Sequence, residues 1–179
     1  MAIQIYILGK LMKDNNYPYK LKKELSEPIP LDQLGGVTES KLYYHFESLV
    51  KQGLIEPVEI IKEEHRPDKQ VFAITDKGRE ALPQKIYQMF ESTDTISGMV
   101  IALANIEYVD RDRVIEILNE KLKRIKERWA HIEDLESKVQ LSEDKKQLVN
   151  YLGEYFSSKK EHTTYWLEEL VKRVEREEI

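Results

Sequence analysis

The chain has no cysteine. That removes disulfides, thiolate zinc sites and thiol nucleophiles together, and it fits a reducing compartment. No apolar run approaches the ~20 residues a membrane span needs, and Met1 to Met12 has neither a basic leader nor a small-residue cleavage site, so a soluble cytoplasmic protein is expected. Positive charge is also short: 28 Lys and Arg stand against 33 Asp and Glu, a net charge of −5. A globally basic nucleic-acid binder is thereby excluded, and any DNA contact has to come from a local patch. Up to Ser92 there are 13 basic and 14 acidic residues, and beyond it 15 and 19, so most of the acidity lies in the second half.

The usual marks of catalysis are missing too. Gly35-Gly36 stands alone, without the flanking spacing of a phosphate-cradling loop, and no nucleophile elbow occurs. His45, His65, His131 and His162 lie far apart and form no His-x-x-x-His pair of metal-ligand type. No enzyme, cofactor or metal is expected.

What is present centres on Thr38 to Thr75. From Thr38, whose hydroxyl can cap free backbone N–H groups, apolar residues recur at Leu42, Phe46, Leu49 and Val50 until Gly53 ends the run, which predicts an amphipathic helix. Its other face carries Thr38, Ser40, Lys41, Tyr44 and His45, a mix of hydroxyls, a cation and rings suited to phosphates and base edges. Tyr43, flanked by Leu42 and Phe46, reads equally as a core aromatic. Leu54 to Ile61 and Gln70 to Thr75 then read as two strands of a hairpin with a polar tip at Lys62 to Lys69.

Before this stretch, the nearly all-round apolar Ile3 to Met12 reads as a buried first helix, broken by Asp14-Asn15-Asn16. Pro18 suits the first turn of a short second helix with Tyr19, Leu21 and Leu25, and Ser26 to Val37 reads as a loop. After it, Thr75-Asp76-Lys77-Gly78 opens another helix with Pro83 in its early turns, and Ser92 to Thr95 reads as a domain boundary. Ile96 to Ile106 is apolar and expected to be buried.

From Asp110 onward Val114, Leu118, Leu122, Ile125, Trp129, Ile132, Leu135 and Val139 recur at steps of mostly four and three, a coiled-coil-like seam. Ser142 is the expected cap of a last helix with Leu148, Leu152, Tyr155, Trp166, Leu170 and Val174. Two such helices bury too little alone, so an antiparallel pair completed by a second copy of the chain is expected. The expected architecture is mainly α with a small β-hairpin: a winged helix-turn-helix over residues 1–92 and a helical dimerisation domain over 93–179.

Tyr43, Leu49, Gly53-Leu54-Ile55 and Phe72-x-Ile74-Thr75-x-x-Gly78, with Tyr19-x-Leu21 before them, resemble the pattern of the PadR family of bacterial transcriptional regulators. The second half, ending Tyr165-Trp166-Leu167-Glu168, resembles the helical dimerisation domain of the family's longer members. Pro18, Lys41 and Tyr44 depart from the family's usual Gly, Thr or Ser, and Pro, so no operator sequence carries over. The resemblance implies a homodimeric repressor that binds double-stranded DNA at a palindromic operator and is released by a small aromatic or phenolic effector. Carried over by position, Thr38, Ser40, Lys41, Tyr43 and Tyr44 would approach the major groove, Tyr19 and Lys22 would meet phosphates, and Arg66 and Lys69 would reach backbone or minor groove. Trp129 and Trp166 read as core residues, or, with Tyr155 and Tyr165, as the walls of an effector pocket. Two rivals remain: a winged-helix module that binds protein, favoured by the acidic balance, and an enzyme built on the aromatic second half, disfavoured because no acid/base constellation converges.

Overall fold

A computed structural model describes residues 1–25, 39–62, 68–138 and 145–179, without side-chain detail at 39–40 and 133–138. Thr38, the Ser26 to Val37 loop, the hairpin tip with Arg66, Val139 and Ser142 therefore lie outside the described residues. The chain divides into two compact units, Met1–Asp110 and Arg111–Ile179. Among the described residues, no helix is long and apolar enough to cross a membrane.

The first unit is built around α1 (Ala2–Lys13), as its all-round hydrophobicity predicts. Ile3, Ile5, Tyr6, Ile7, Leu8 and Leu11 are all buried, and α1 packs against α3 (Glu39–Lys51), α4 (Asp76–Ser92), α5 (Ile96–Leu103) and β2 (Lys69–Ile74). Each buried aliphatic side chain contributes about 1.5–3 kcal/mol. The Tyr6 hydroxyl donates to the Leu21 carbonyl at 2.8 Å, tying α1 to α2 (Pro18–Lys23), in which Pro18 takes the first turn. Burial, and secondarily the Glu24 charge, pushes the Tyr6 phenol well above its ordinary pKa of 10.0, so it remains a donor.

Gly53 ends α3 with φ +70°, where a side chain would be strained. Its N–H donates to the Val50 carbonyl at 2.9 Å and that of Leu54 to the Leu49 carbonyl at 3.0 Å, the paired bonds of a Schellman cap. β1 (Ile55–Ile61) follows and pairs antiparallel with β2 from Ile55 opposite Ile74 to Ile61 opposite Lys69. The register shifts between Pro57 and Glu59, where proline cannot donate to the ladder and a bulge accommodates it.

One element was not expected. Asn16, read in the sequence only as a helix breaker, bridges to Phe72 on β2 through N–H···O bonds of 3.1 and 2.9 Å. It thereby adds a one-residue third strand to the hairpin.

Thr75 then performs three tasks. Its N–H donates to the Leu54 carbonyl at 3.1 Å, its hydroxyl donates to the Gly53 carbonyl at 2.7 Å, and its Oγ1 accepts the Gly78 N–H at 3.1 Å as the cap of α4. A Cβ at Gly78 would collide with the Leu54 carbonyl and the Ile74 side chain. The Thr-x-x-Gly spacing thus welds α3, the hairpin and α4 together.

Thr95 caps α5 by accepting the Gly98 N–H at 3.2 Å. Helix α5 and the 3₁₀ turn Ile106–Tyr108 pack into the first unit, so this compact unit extends past the break expected near Ser92 to Asp110. The physical reason is the apolar face of α5: Met99, Ile101 and Ala102 are buried, and Asn105, which donates to the Ile101 carbonyl at 2.8 Å, closes on Gly9 of α1, where a Cβ would collide with it.

The second unit comprises α6 (Arg111–Lys138) and α7 (Lys146–Glu175). Arg111 at the start of α6 donates to the Ile179 carbonyl, Lys126 bonds Glu168, and Trp129 meets Phe156, so the two helices run antiparallel. Val114, Leu118, Leu122 and Ile125 are buried along the predicted seam, with Leu167, Leu170, Val171 and Val174 from α7.

Candidate nucleic-acid interface

Helix α3 is one-sided. Leu42, Phe46 and Leu49 are buried, and the Phe46 ring tilts against Phe72 of the hairpin with centroids 5.1 Å apart. This packing fixes the phase of the helix and turns Lys41, Tyr43 and Tyr44 out to solvent, with Tyr43 at 51% and Tyr44 at 67% exposure. Tyr43 is therefore an exposed residue, and the core alternative read from its neighbours does not apply. At 1.5 Å per residue α3 is about 20 Å long, a cylinder that a ~12 Å-wide major groove admits.

His45 stands between the two faces, edge-on to the Tyr44 ring at 5.3 Å. Its Nδ1 is buried and has no hydrogen-bond partner among the described residues. Burial, then the N-terminal amine and Lys41, hold its pKa below the usual 6.5, so the ring tends to neutrality beside a cationic neighbour.

Of the remaining candidates, Tyr19 is 47% exposed on α2, and Lys69 opens β2 with its ammonium 5.4 Å from the Tyr17 ring centroid. Lys22 and Lys69 are both half-buried, and each already engages another group. Lys23 is the residue that joins Tyr19, its ammonium 5.1 Å from that ring centroid. Sequence reasoning passed over Lys23, although the (i, i+4) spacing from Tyr19 points to it. Ser40 belongs to α3, its side chain outside the description, and Thr38 and Arg66 lie outside the described residues.

Between α2, α3 and the hairpin the surface dips into a cavity of about 930 Å³, whose lining includes Tyr19, Lys23, Tyr43, Phe46, Lys69 and Phe72. Tyr43 belongs to the face just described, Tyr19 and Lys23 to its α2 flank, and Lys69 to the facing strand, so rings and ammonium groups gather around one depression.

The effector candidates of the second unit do not gather in the same way. Trp129 and Tyr155 meet through Phe156, at centroid separations of 6.0 and 5.3 Å. Tyr165 and Trp166 form an edge-on pair at 5.3 Å, with His162 6.4 Å from the indole. Eleven residues separate Tyr155 from Trp166, about 16 Å along α7, so the rings form two clusters. Among the described residues no three His, Asp or Glu side chains assemble as a metal site.

Residues 7–84 match the model of the transcriptional regulator PadR-like family. Among solved structures the chain is similar to Bacillus subtilis PadR in complex with operator DNA, at 17% identity over 97% of this chain and 99% of that one, with a TM-score of 0.46. The same protein in complex with p-coumaric acid matches at 19% identity over 98% and 99%, with a TM-score of 0.42. A transcriptional regulator from Clostridium thermocellum matches at 28% identity over 48% of this chain and 78% of that one, with a TM-score of 0.40. No curated protein matches the chain.

Proposed function

From the match of residues 7–84 to the transcriptional regulator PadR-like family, we propose that the chain is a cytoplasmic, homodimeric repressor that reads a palindromic operator with α3 and is released by a small aromatic or phenolic effector. The observation that carries the DNA reading is the outward face of α3. Lys41, Tyr43 and Tyr44 stand exposed on a helix whose opposite side is anchored by Leu42, Phe46 and Leu49. Lys41 supplies a charge for phosphate, and the phenol hydroxyls can donate or accept at phosphates and base edges. Lys69 and Tyr19 flank the same depression and meet the backbone on either side.

The dimer rests on the first half of α7. Leu148, Tyr151, Leu152, Tyr155 and Phe156 are all exposed there, an apolar surface that a second copy of the chain would cover. Two copies related by a two-fold axis would place their α3 helices about one DNA turn, ~34 Å, apart. An effector seated among the Trp129, Phe156 and Tyr155 rings would act by favouring one of two dimer states, changing the α3 spacing and weakening operator binding. No step of this is catalytic.

Replacing Lys41 and Tyr44 together by alanine tests the reading face. Operator binding should be lost while sedimentation still shows the dimer, and undiminished binding would sink the assignment. The net charge of −5 favours a second reading, a winged-helix module that docks on protein. Salt titration separates the two, since log K falls with log salt at a slope of about −0.9 per neutralised phosphate, and a flat response without a footprint would favour the module.

A further inference from the structure

We propose that the cavity between α2, α3 and the hairpin is a binding site for a free nucleoside monophosphate. Its floor is apolar, formed by the Phe46–Phe72 ring pair and Val50. Its volume of about 930 Å³ is in the range of small-molecule sites, whose walls are mostly apolar with a few polar groups to fix orientation. A duplex passing over the surface keeps its bases stacked inside, so it would lay phosphates across the mouth and leave this floor unfilled.

The walls narrow the ligand's chemistry. Tyr17 and Tyr19 line the cavity, and each carries an ammonium over one face of its ring, Lys69 at 5.4 Å from the first centroid and Lys23 at 5.1 Å from the second, which leaves the opposite face for a flat ligand. Positive charge and aromatic surface are thus presented together, the requirement for a ligand that joins a flat ring to an anion. Glu47 on α3 and Asp68 at the base of the hairpin add two carboxylates to the lining. Carboxylates only accept hydrogen bonds, so the ligand must also bring donors. Inorganic phosphate would use the lysines alone, and a simple aromatic acid the lysines and rings. A nucleotide uses all three groups, its phosphate on the lysines, its base on the rings, its ribose hydroxyls or exocyclic amine on the carboxylates.

Tyr19, Tyr43 and Lys69 belong both to this cavity and to the proposed DNA face. On that reading, which this corollary alone requires, a bound nucleotide excludes the operator directly, without a change in dimer geometry.

The test is isothermal titration of the full chain, without DNA, by AMP, adenosine, inorganic phosphate and 2-naphthoate. AMP should bind best, with adenosine and phosphate each weaker by about tenfold or more, since each lacks part of the recognised group. Val50→Trp, which fills the floor, should weaken AMP by about tenfold, and the solvent-side change Lys23→Ala, checked for fold by circular dichroism, by about fivefold. Glu161→Ala, an exposed position in the second unit, should stay within about twofold. The proposal is overturned by no heat with AMP, by phosphate or 2-naphthoate binding as tightly as AMP, or by a Lys23→Ala protein that binds AMP unchanged. Because DNA is absent, failure of the DNA reading leaves these results standing, and their failure leaves the DNA reading standing.

Discussion

Helix α3 and the first half of α7 both turn tyrosines toward solvent, but the company of those rings differs. On α3, Tyr43 and Tyr44 stand with Lys41, and every large aliphatic side chain of the helix points inward or is half-buried. On α7, Tyr151 and Tyr155 stand with Leu148, Leu152 and Phe156, exposed at 59%, 38% and 37%. Water tolerates the first face, and a polyanion can replace that water at little cost. The second face exposes aliphatic surface that gains only by being covered with more apolar surface. On the proposed function, the residues between the rings give two tyrosine-bearing helices of one chain different partners, DNA and a second copy.

The largest expected effect breaks the α7 side of this comparison. Leu148→Asp with Leu152→Asp places four carboxylates in the proposed dimer interface and should raise its dissociation constant by at least about a hundredfold, given about 1.5–3 kcal/mol per buried leucine. Analytical ultracentrifugation should then show monomers, with operator affinity falling alongside. A dimer of unchanged strength would mean that α7 exposes this face for another purpose.

Next comes the frame that holds α3. Gly78→Ala forces a methyl group into the Leu54 carbonyl and should cost about 2 kcal/mol in urea unfolding, the scale of an overpacked core site. The α7 stripe lies in the other compact unit, so sedimentation of the folded variant should be unchanged. Loss of dimer without loss of stability would blur the distinction between the two faces.

The smallest effect concerns α3 alone. The His45 pKa is lowered in the folded state, so below about pH 6.5 the unfolded chain binds more protons than the native one. Its contribution to stability is complete above the unfolded value and is lost as pH falls through the folded one. Thermal midpoints measured between about pH 7 and pH 5 should therefore decline less steeply in His45→Gln than in the parent protein. Equal slopes would assign the acid sensitivity elsewhere.

Much of this was legible in the residues themselves. Four- and three-residue apolar spacing set α3 and α6, Gly53 set the end of α3, Pro18 the start of α2, and Thr75-x-x-Gly78 the start of α4. All are local, because helix phase, caps and positive φ depend on residues a few positions apart. Three features were not legible for one reason, that they depend on what lies across a packing interface. Asn16 looks like a breaker until β2 offers it a pairing edge. Tyr43 reads as core or as DNA-facing until Phe46 settles on Phe72 and fixes the phase of α3. Ser92 to Thr95 looks like a domain boundary until the apolar face of α5 finds α1, where Gly9 leaves room for Asn105. Periodicity determined which residues share a face; burial of those faces against distant segments decided which face meets solvent, and hence where a ligand or DNA can approach.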